Sequence, residues 1–585
     1  MEIHDASRSP ASARQEPVCP PPGAPDPWHL VDTRTYAAVA RACSGLSPLA
    51  PALALQDWIW HLGNSPGAQW AVLRTLLSWD DTVSQTPPDD PRFRHPAWNA
   101  WPLREARAHF LRWQAASQLA IGQVEGLSPH HRNMMAFLGR QWLDLLSPST
   151  CPWIDPEVRQ ATLENGGWNL VEGGLRLRQD LLDLLAGHAP AASRAACAAY
   201  AVGRNIAVTP GKVVERTALF ELIQYAPATA SVHREPVLIV PSWILKYYVL
   251  DLSVQNSLVR YLVRQGHTVF AMSWRNPGAD MGGLSLDDYL HSGLLHALSQ
   301  ASRRCGGAPV HAAGYCLGGT LLAIAAACLA RRRHKGAPLA SATLIAAQTD
   351  FSQPGELGLF IDHSSVAYLK ALMRQQGYLD GRQLAGVFQL LSARDLGWSR
   401  MTRGYLLGRP PRISDLMSWN ADVTRVPYRM HGETLERLYL DNQLATGRYC
   451  VNGRPVALND IRVPVFLVAT ERDHISPWRS VHAFHLLADT DVTFALASGG
   501  HNTGIVADPV ADAARHYYRL HHHAHGEPYV GPDEWLATHA PQAGMWWRAW
   551  HAWLARLSPG RRLARARRTP PAQLPDAPGA YVFEK

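Results

Sequence analysis

Short apolar runs alternate with helix-like segments through the later part of this sequence. The runs span residues 237–240, 268–274, 309–313, 342–347, 463–470 and 492–496. Runs that are apolar throughout, rather than at every second position, are typical of parallel strands buried on both faces. Because helical segments separate them, the sequence predicts a doubly wound α/β domain over residues 205–525.

One interval between these runs is far too long for an ordinary connection. Residues 351–450 lie between the fourth and fifth runs, whereas connections in compact domains usually have only a few residues beyond a crossover helix. The interval contains several large aromatic side chains, which are Trp398, Tyr405, Trp419 and Tyr428. We predict that it forms a lid inserted into the domain.

The regions on either side of the α/β domain have a different pattern. Residues 31–204 carry apolar residues at helical spacing, for example in 108–121 and 133–146, and predict a helical N-terminal domain. Residues 1–30 are polar and rich in proline and alanine, and we expect them to be disordered. Residues 526–585 form an extension rich in tryptophan and arginine, in which helical spacing predicts one helix docked on the main domain. The tryptophans at helical spacing are Trp546, Trp547, Trp550 and Trp553.

The formal net charge of +8 suits an anionic partner such as coenzyme A, nucleic acid or a membrane. Much of this charge lies in residues 331–335 and 561–568, which we interpret as solvated surface because no nucleic-acid-binding motif accompanies them. The eight cysteines lack metal-ligand spacing, and no apolar run has transmembrane length or the form of a signal peptide. We therefore expect a cytoplasmic protein with free thiols, no metal, no nucleic-acid partner and no transmembrane segment.

A Gly-x-Cys-x-Gly motif at residues 314–318 directly follows the third apolar run and precedes a helix-like segment, 321–333. This strand–turn–helix context is that of the nucleophile elbow in α/β-hydrolase folds. The glycines permit a tight turn, so that Cys316 projects from the carboxyl edge of the sheet. The sequence predicts Cys316 as a nucleophile and the backbone N–H of Leu317 as an oxyanion donor. We further predict that the inserted lid covers Cys316 and must move for a product to leave.

The acid and base of such a site should follow the nucleophile in that order along the chain. Asp473 comes just after the fifth run and His501 just after the sixth. Because both positions lie at the carboxyl ends of strands, we predict a Cys316, Asp473 and His501 triad. Asp350, which follows the fourth run, is an alternative acid, and His474 is interpreted as a loop residue.

Other residues that resemble functional sites have simpler interpretations. Gly63–Gly67 matches Gly-x-Ser-x-Gly, but Pro66 offers no N–H and no strand precedes it. Cys305 and Cys328 lie near the elbow in sequence, and we expect Cys328 to be in the core. Residues 521–523 are three histidines, which we interpret as polar surface rather than a metal site.

A cysteine nucleophile indicates the type of reaction. Thiolates are better nucleophiles and better leaving groups than alkoxides. Transfer of an acyl group from a thioester to a cysteine makes another thioester, so the step is close to isoenergetic. The acyl group stays activated for a second acceptor, which favours transferase chemistry over hydrolysis.

Further motifs lie outside the predicted triad. They occupy residues 90–93, 96–98, 141–142, 147–149, 164–167, 246–252, 273–277, 419–422, 473–478 and 578–582. In these motifs and in Gly314–Thr320 the sequence resembles the single-chain polyhydroxyalkanoate synthases, the bacterial polyester polymerases. The resemblance covers nearly all of the chain after residue 30.

The resemblance implies that Cys316 carries the acyl group, that His501 is its base and that Asp473 helps to activate the substrate's 3-hydroxyl. It implies an α/β-hydrolase fold that binds 3-hydroxyacyl-coenzyme A and a growing polyester, and that releases coenzyme A. It also implies a homodimer attached to polymer granules, with no cofactor. His501 could instead serve both proton transfers, and the sequence leaves these alternatives open.

The chain departs from the family's pattern at several positions. Leu245 stands where an asparagine is usual, Asn502 replaces an apolar residue after the histidine, and Arg394–Asp395 replaces an Asn-Asp pair. Tyr315 is similar to the aromatic residue of relatives that use short acyl groups of three to five carbons. A thioesterase or polyester hydrolase using the same triad, and an inactive granule-bound homologue, are the alternative functions.

Overall fold

The computed structural model describes residues 27–43, 45–78, 90–331, 339–384, 386, 400–506, 516–564 and 574–585. The expected disorder of residues 1–26, most of the two basic runs, Trp398 and the Arg394–Asp395 departure therefore lie outside the described residues. The first helix begins at Pro27, a few residues before the expected start of the helical region. No helix among the described residues is long and apolar enough to cross a membrane.

The described strands range from two to seven residues in length. They are β1 Gly211–Arg216, β2 Phe220–Tyr225, β3 Ser231–His233, β4 Val237–Val240, β5 Val269–Trp274, β6 Val310–Tyr315, β7 Leu339–Ile345, β8 Tyr378–Leu379, β9 Val426–Pro427, β10 Cys450–Val451, β11 Arg454–Pro455, β12 Val465–Thr470, β13 Val492–Ala497, β14 Tyr517–His523, β15 Gln542–Ala543 and β16 Arg561–Leu563. Ten of them form one sheet in the order β1-β2-β5-β4-β6-β7-β12-β13-β14-β15. Its six central strands, from β5 to β13 in that order, are parallel.

The six parallel strands coincide with the six apolar runs, so the predicted α/β fold is confirmed. The strands are buried along almost their whole length. The outer strands β1, β2, β14 and β15 are antiparallel to their neighbours. Sequence reasoning missed β14, because its residues 521–523 are histidines; they are half-buried or exposed in a strand that pairs with β13.

The helices cover both faces of the sheet and build the N-terminal region and the insert. The α-helices are Pro27–Ala42, Leu49–Gly63, Pro66–Leu77, Leu103–Gly122, Pro129–Leu145, Pro156–Glu164, Trp168–Leu185, Ala191–Ala199, Leu258–Arg264, Leu286–Asp288, His296–Arg304, Leu317–Arg331, His363–Gln376, Asp415–Ala421, Tyr428–Glu433, Trp478–His482, Phe484–Leu487, Pro532–Thr538 and Trp547–Leu557. Three π-helical segments are Tyr289–Leu295, Arg400–Leu406 and Thr434–Leu440.

The C-terminal extension is part of the sheet domain rather than an appendage. The helix Trp547–Leu557 buries its indoles against one face of the sheet, as the spacing of its tryptophans predicts. β15 pairs with β14, and β16 pairs with β3. Arg562, which we interpreted as solvated surface, is half-buried and donates to the carbonyl oxygen of Cys305 at 2.9 Å. That interpretation was wrong because β16 lies against the domain.

The helical N-terminal region contacts the insert, residues 351–450. Helix Pro27–Ala42 packs on helix His363–Gln376, where alanines from both helices and Leu372 form a small apolar cluster. Helix Trp168–Leu185 contacts the segment Arg400–Leu406, and Tyr405 donates a hydrogen bond to Asp180 at 2.7 Å. These contacts place the N-terminal region over the part of the molecule that borders the carboxyl edge of the sheet.

Candidate active site

The turn between β6 and the helix Leu317–Arg331 consists of Cys316 alone. Its φ is +54°, in the left-handed region that a residue with a side chain rarely adopts. The N–H of Cys316 donates to the carbonyl oxygen of Ile345 in β7 at 2.9 Å, which fixes the turn to the neighbouring strand. Strain held in place by surrounding structure is typical of a nucleophile elbow.

The glycines on either side of Cys316 are required by close packing of the backbone. A Cβ atom on Gly314 would lie 2.5 Å from the Cα of Gly319. A Cβ atom on Gly318 would lie 2.4 Å from the carbonyl oxygen of Val240, in β4. Both distances are well below van der Waals contact, so any larger residue would push the elbow away from β4 or from its own helix.

His501 and Asp473 are joined by a hydrogen bond of 2.7 Å between Nδ1 of the imidazole and Oδ2 of the carboxylate. The other oxygen of Asp473 accepts from the backbone N–H groups of Ile475 and Ser476 at 2.9 and 2.8 Å. The carboxylate is fully enclosed. Its orientation is therefore fixed by the loop after β12, and it fixes the imidazole in turn.

The environment of His501 strongly favours its protonated form. Burial by itself lowers the pKa of the imidazole, but its interactions with Asp473 and with the nearby Cys316 outweigh burial. Together they raise the pKa of His501 to about 10. The structure thus brings the three predicted residues close to one another.

The alternative residues occupy other positions. Asp350 accepts hydrogen bonds from the N–H of Ser352 and the side chain of Asn442, each at 2.8 Å, rather than from His501. The carbonyl oxygen of His474 accepts from the N–H of Glu356 at 2.8 Å, so His474 helps to attach the insert.

The other cysteine and serine candidates differ from Cys316 in their surroundings. Cys305 is buried, and burial raises the pKa of its thiol. Cys328 is half-buried and packs against the core, near the end of the helix that follows Cys316. Ser65 lies between two helices of the N-terminal region and donates to the carbonyl oxygen of His61 at 2.7 Å.

The N–H of Leu317 opens the helix directly after the nucleophile, as an oxyanion donor must, and this role stays a prediction. Val240, the last residue of β4, and Pro241 in the loop after it lie against Gly318 of the elbow. Leu245, which departs from the family pattern, forms a backbone bridge with Val423 of the insert. It also packs against the apolar clusters on both faces of the sheet.

A pair that sequence reasoning did not connect links the elbow to the histidine loop. The hydroxyl of Tyr315 donates to Oδ1 of Asn502 at 2.5 Å. The ring of Tyr315 also packs beside the imidazole of His501, with ring centroids 5.6 Å apart. Burial, with the charges of Cys316 and Asp473, raises the pKa of Tyr315, so it remains a neutral donor. Asn502, which departs from the family pattern, is therefore bonded to a residue of the elbow. The sequence identified Asn502 as unusual but did not predict its contact with Tyr315.

The loop that carries His501 is also held by the C-terminal helix. The indole N–H groups of Trp546 and Trp547 donate to the carbonyl oxygens of Gly504 and Ile505, at 3.2 and 2.9 Å. Sequence spacing identified these tryptophans as core residues, but not as hydrogen-bond donors to the histidine loop.

An apolar cavity of about 70 Å³ lies beside the elbow. Leu317 and Ile244 form its wall on the side of the sheet, and Gly45 and Leu46 contribute from the N-terminal region. Most of its lining comes from the insert, including Tyr439, whose pKa is raised by burial and by the nearby charge of Cys316. The insert thus borders the nucleophile; its movement as a lid stays a prediction.

Models of known families match most of the chain up to residue 506. Residues 27–67 and 89–262 match the profiles described as the poly-beta-hydroxybutyrate polymerase N terminal and the poly-beta-hydroxybutyrate polymerase N-terminus. Residues 235–506 match the alpha/beta hydrolase fold.

Curated relatives match over almost their full length. The chain is 37% identical over 530 residues to a poly(3-hydroxyalkanoate) polymerase of Methylorubrum extorquens, covering 90% of this chain and 86% of the relative. It is 33% identical over 598 residues to a poly(3-hydroxyalkanoate) polymerase subunit of Cupriavidus necator, covering 99% of both chains. It is also 33% identical over 512 residues to poly(3-hydroxyalkanoate) polymerase 2 of Ectopseudomonas oleovorans, covering 86% of this chain and 88% of the relative.

Proposed function

The chain belongs to the poly(3-hydroxyalkanoate) polymerase family, and we propose that it polymerises 3-hydroxyacyl groups from coenzyme A thioesters into polyester, as an acyltransferase with a cysteine nucleophile. The observation that carries this proposal is the convergence of Cys316, His501 and Asp473 at the carboxyl edge of the sheet. The relatives, which match the chain almost end to end, are named as polymerases of this type.

The first step is acylation of Cys316. Its sulfur, after giving its proton to His501, attacks the thioester carbonyl carbon of the substrate. The N–H of Leu317 stabilises the negative charge on the carbonyl oxygen. The bond from carbon to the sulfur of coenzyme A then breaks, His501 returns the proton to that sulfur, and coenzyme A leaves as a thiol.

The second step forms the ester bond. The 3-hydroxyl of another hydroxyacyl group attacks the Cys316 thioester while His501 accepts the hydroxyl proton. The bond between carbon and Sγ breaks and His501 returns the proton to Sγ, so that the chain is extended by one unit and the Cys316 thiol is restored. Because the carboxylate of Asp473 is fully enclosed and already bonded, we favour His501 as the base for both steps.

The finer features of this function are part of the same proposal. We propose that the enzyme needs no cofactor, works in the cytoplasm as a homodimer and attaches to the polyester granule. The exposed indoles of the N-terminal helices support granule attachment, since apolar side chains on a surface indicate a binding area. The aromatic Tyr315 supports a preference for short acyl groups, which a comparison of kcat/KM for 3-hydroxybutyryl- and 3-hydroxyoctanoyl-coenzyme A tests.

The decisive experiment supplies 3-hydroxybutyryl-coenzyme A to the purified protein and identifies both products. A polymerase releases coenzyme A and makes polyester. Release of coenzyme A with free 3-hydroxybutyrate would instead make the protein a thioesterase, and release of neither product would contradict any enzymatic role at this site.

A further inference from the structure

One buried histidine lines the apolar cavity beside the elbow and takes no part in the proposed triad. His431 lies in the helix Tyr428–Glu433 of the insert and is only 6% exposed. Its Nδ1 has no hydrogen-bond partner among the described residues. A buried polar group without a partner lowers stability, and on the wall of a cavity a bound ligand can supply the missing hydrogen bond.

Three other polar side chains around the cavity already have partners. The hydroxyl of Ser365 donates to Asp362 at 2.8 Å, and the hydroxyl of Thr434 donates to the carbonyl oxygen of Met430 at 2.8 Å. The side-chain oxygen of Gln383 accepts from the N–H of Asp380 at 3.2 Å. His431 differs from them because its buried Nδ1 has no partner within the described structure.

The position of the cavity determines what can enter it. Leu317, the residue directly after the nucleophile, forms part of its wall, and so does Tyr439, which lies close enough to Cys316 to respond to its charge. An acyl group attached to Cys316 therefore has an adjacent apolar space to occupy. The rest of the lining is mostly aliphatic or aromatic, which suits a hydrocarbon chain with few oxygens.

The protonation state of His431 further restricts the class of ligand that it can bind. Burial lowers its pKa to about 4, so the imidazole is neutral at physiological pH. A neutral imidazole has one donor and one acceptor nitrogen, and it can bind either a hydroxyl or an ester oxygen. It offers no charge to attract a phosphate or carboxylate.

We propose that His431 hydrogen-bonds the 3-oxygen of the acyl group held on Cys316, and so selects 3-hydroxyacyl over unsubstituted acyl substrates. This inference rests on the proposed function. The bound oxygen belongs to the resident acyl group, whereas the attacking hydroxyl belongs to the next one, so His431 and His501 act on different oxygens. His431 is a specificity residue that orients the thioester carbonyl without moving a proton.

The test measures formation of the Cys316 acyl-enzyme in a single turnover, using quenched intact-mass spectrometry with 3-hydroxybutyryl- and butyryl-coenzyme A. We expect the wild-type protein to react faster with the hydroxylated substrate. His431→Phe should slow the 3-hydroxybutyryl reaction roughly tenfold or more and leave the butyryl reaction unchanged, because only the former loses a hydrogen bond. His431→Gln, which keeps a donor and an acceptor, should retain most of the discrimination.

A matched control removes another buried imidazole outside this cavity. His482 is 1% exposed, and burial, with the charges of neighbouring histidines, lowers its pKa to about 3. His482→Phe should leave the ratio of the two rates unchanged. An unchanged ratio in His431→Phe, or an equal fall in both of its rates, would overturn the inference.

The wild-type protein also tests the inference without any variant. Equal acylation rates with the two substrates would contradict a 3-oxygen site even if His431→Phe failed to fold. Absence of acylation by either substrate would instead contradict the proposed function.

Discussion

The tryptophans before residue 200 and those after residue 240 are used in opposite ways. Eight in the N-terminal region have between 60 and 79% of their surface exposed, and these are Trp28, Trp60, Trp70, Trp101, Trp113, Trp142, Trp153 and Trp168. Eight in the sheet domain are buried, and these are Trp243, Trp274, Trp419, Trp535, Trp546, Trp547, Trp550 and Trp553. Tryptophan therefore mostly builds the core of the sheet domain and mostly lies on the surface of the N-terminal region, where Trp98 is a buried exception.

The apolar clusters of the two regions differ in the same way. Those centred on the N-terminal helices contain only a few buried residues each, such as the one around Phe93, Trp98 and Phe110. The two clusters on the faces of the sheet are continuous and include most of the central strands. The sheet domain has buried most of its apolar surface within the chain, whereas the N-terminal helices leave many large apolar side chains exposed. The chemistry and the attachment proposed for this enzyme thus belong to different regions.

The largest expected effect is in the sheet domain, at the nucleophile. Cys316→Ala should reduce coenzyme A release by roughly 10⁴-fold or more, because the substitution removes the thiol proposed to carry the acyl chain. Alanine is small enough for the turn, so the circular dichroism spectrum should match the wild type. Coenzyme A release at the wild-type rate would rule out Cys316 as the nucleophile.

Asp473→Asn should have the next largest effect, a loss of about 10⁴-fold in kcat/KM. With Asp473 present, the raised pKa of His501 lets the fraction of neutral imidazole, and with it the rate, increase with pH toward about 10. The asparagine variant lacks this charge, so its rate should level off at lower pH, nearer the ordinary histidine value of about 6.5. If the variant's rate levelled off at the same pH as that of the wild type, Asp473 would not be the group that raises the pKa of His501.

The same pKa shift predicts a pH-dependent stability. Because the folded state raises the pKa of His501, its contribution is fully present below about 6.5 and is lost as the pH rises toward 10. Urea unfolding of wild type should show this loss, and Asp473→Asn should show a flatter profile over that range. If stability depended on pH in the same way in both proteins, Asp473 would not be the cause of the raised pKa of His501.

A matched pair of tryptophan substitutions tests the comparison directly. Trp550 is fully buried, and its indole donates to the hydroxyl of Thr343 at 2.9 Å, so Trp550→Ala should cost about 3–5 kcal/mol of unfolding free energy. Trp142 is 64% exposed, and Trp142→Ala should change the unfolding free energy by no more than about 0.5 kcal/mol. Equal losses in urea titrations would mean that the exposed indoles are also structural.

The smallest expected effect concerns attachment. Trp113→Ser with Trp142→Ser should weaken binding to polyester particles roughly tenfold, about 1.4 kcal/mol, and leave the single-turnover rate with soluble substrate unchanged. The control is Leu486→Ser, since Leu486 is also exposed but lies in the sheet domain. Weaker binding in the control, or unchanged binding in the double variant, would contradict the proposal that the N-terminal region rather than the sheet domain binds the polyester.

The parts that sequence predicted are those in which local pattern determines structure. Continuous apolar runs separated by helical segments are typical of parallel central strands, and the tight turn of residues 314–318 requires glycine at Gly314 and Gly318. The strand β14 escaped prediction because its pairing with β13 outweighs the polarity of its histidines. The roles of Asn502 and His431 depend on which distant elements meet, and no spacing within the chain encodes that contact.

The indoles that hold the histidine loop also set an order of events during synthesis. Cys316 leaves the ribosome long before Trp546 and Trp547, whose N–H groups fasten the loop bearing His501. A chain still being translated therefore has its nucleophile without a positioned base. Polymerisation should begin only after Trp546 and Trp547 have been synthesised and have docked on this loop. Stalled chains ending between residues 506 and 545 should form no acyl-enzyme, which intact-mass measurement would show.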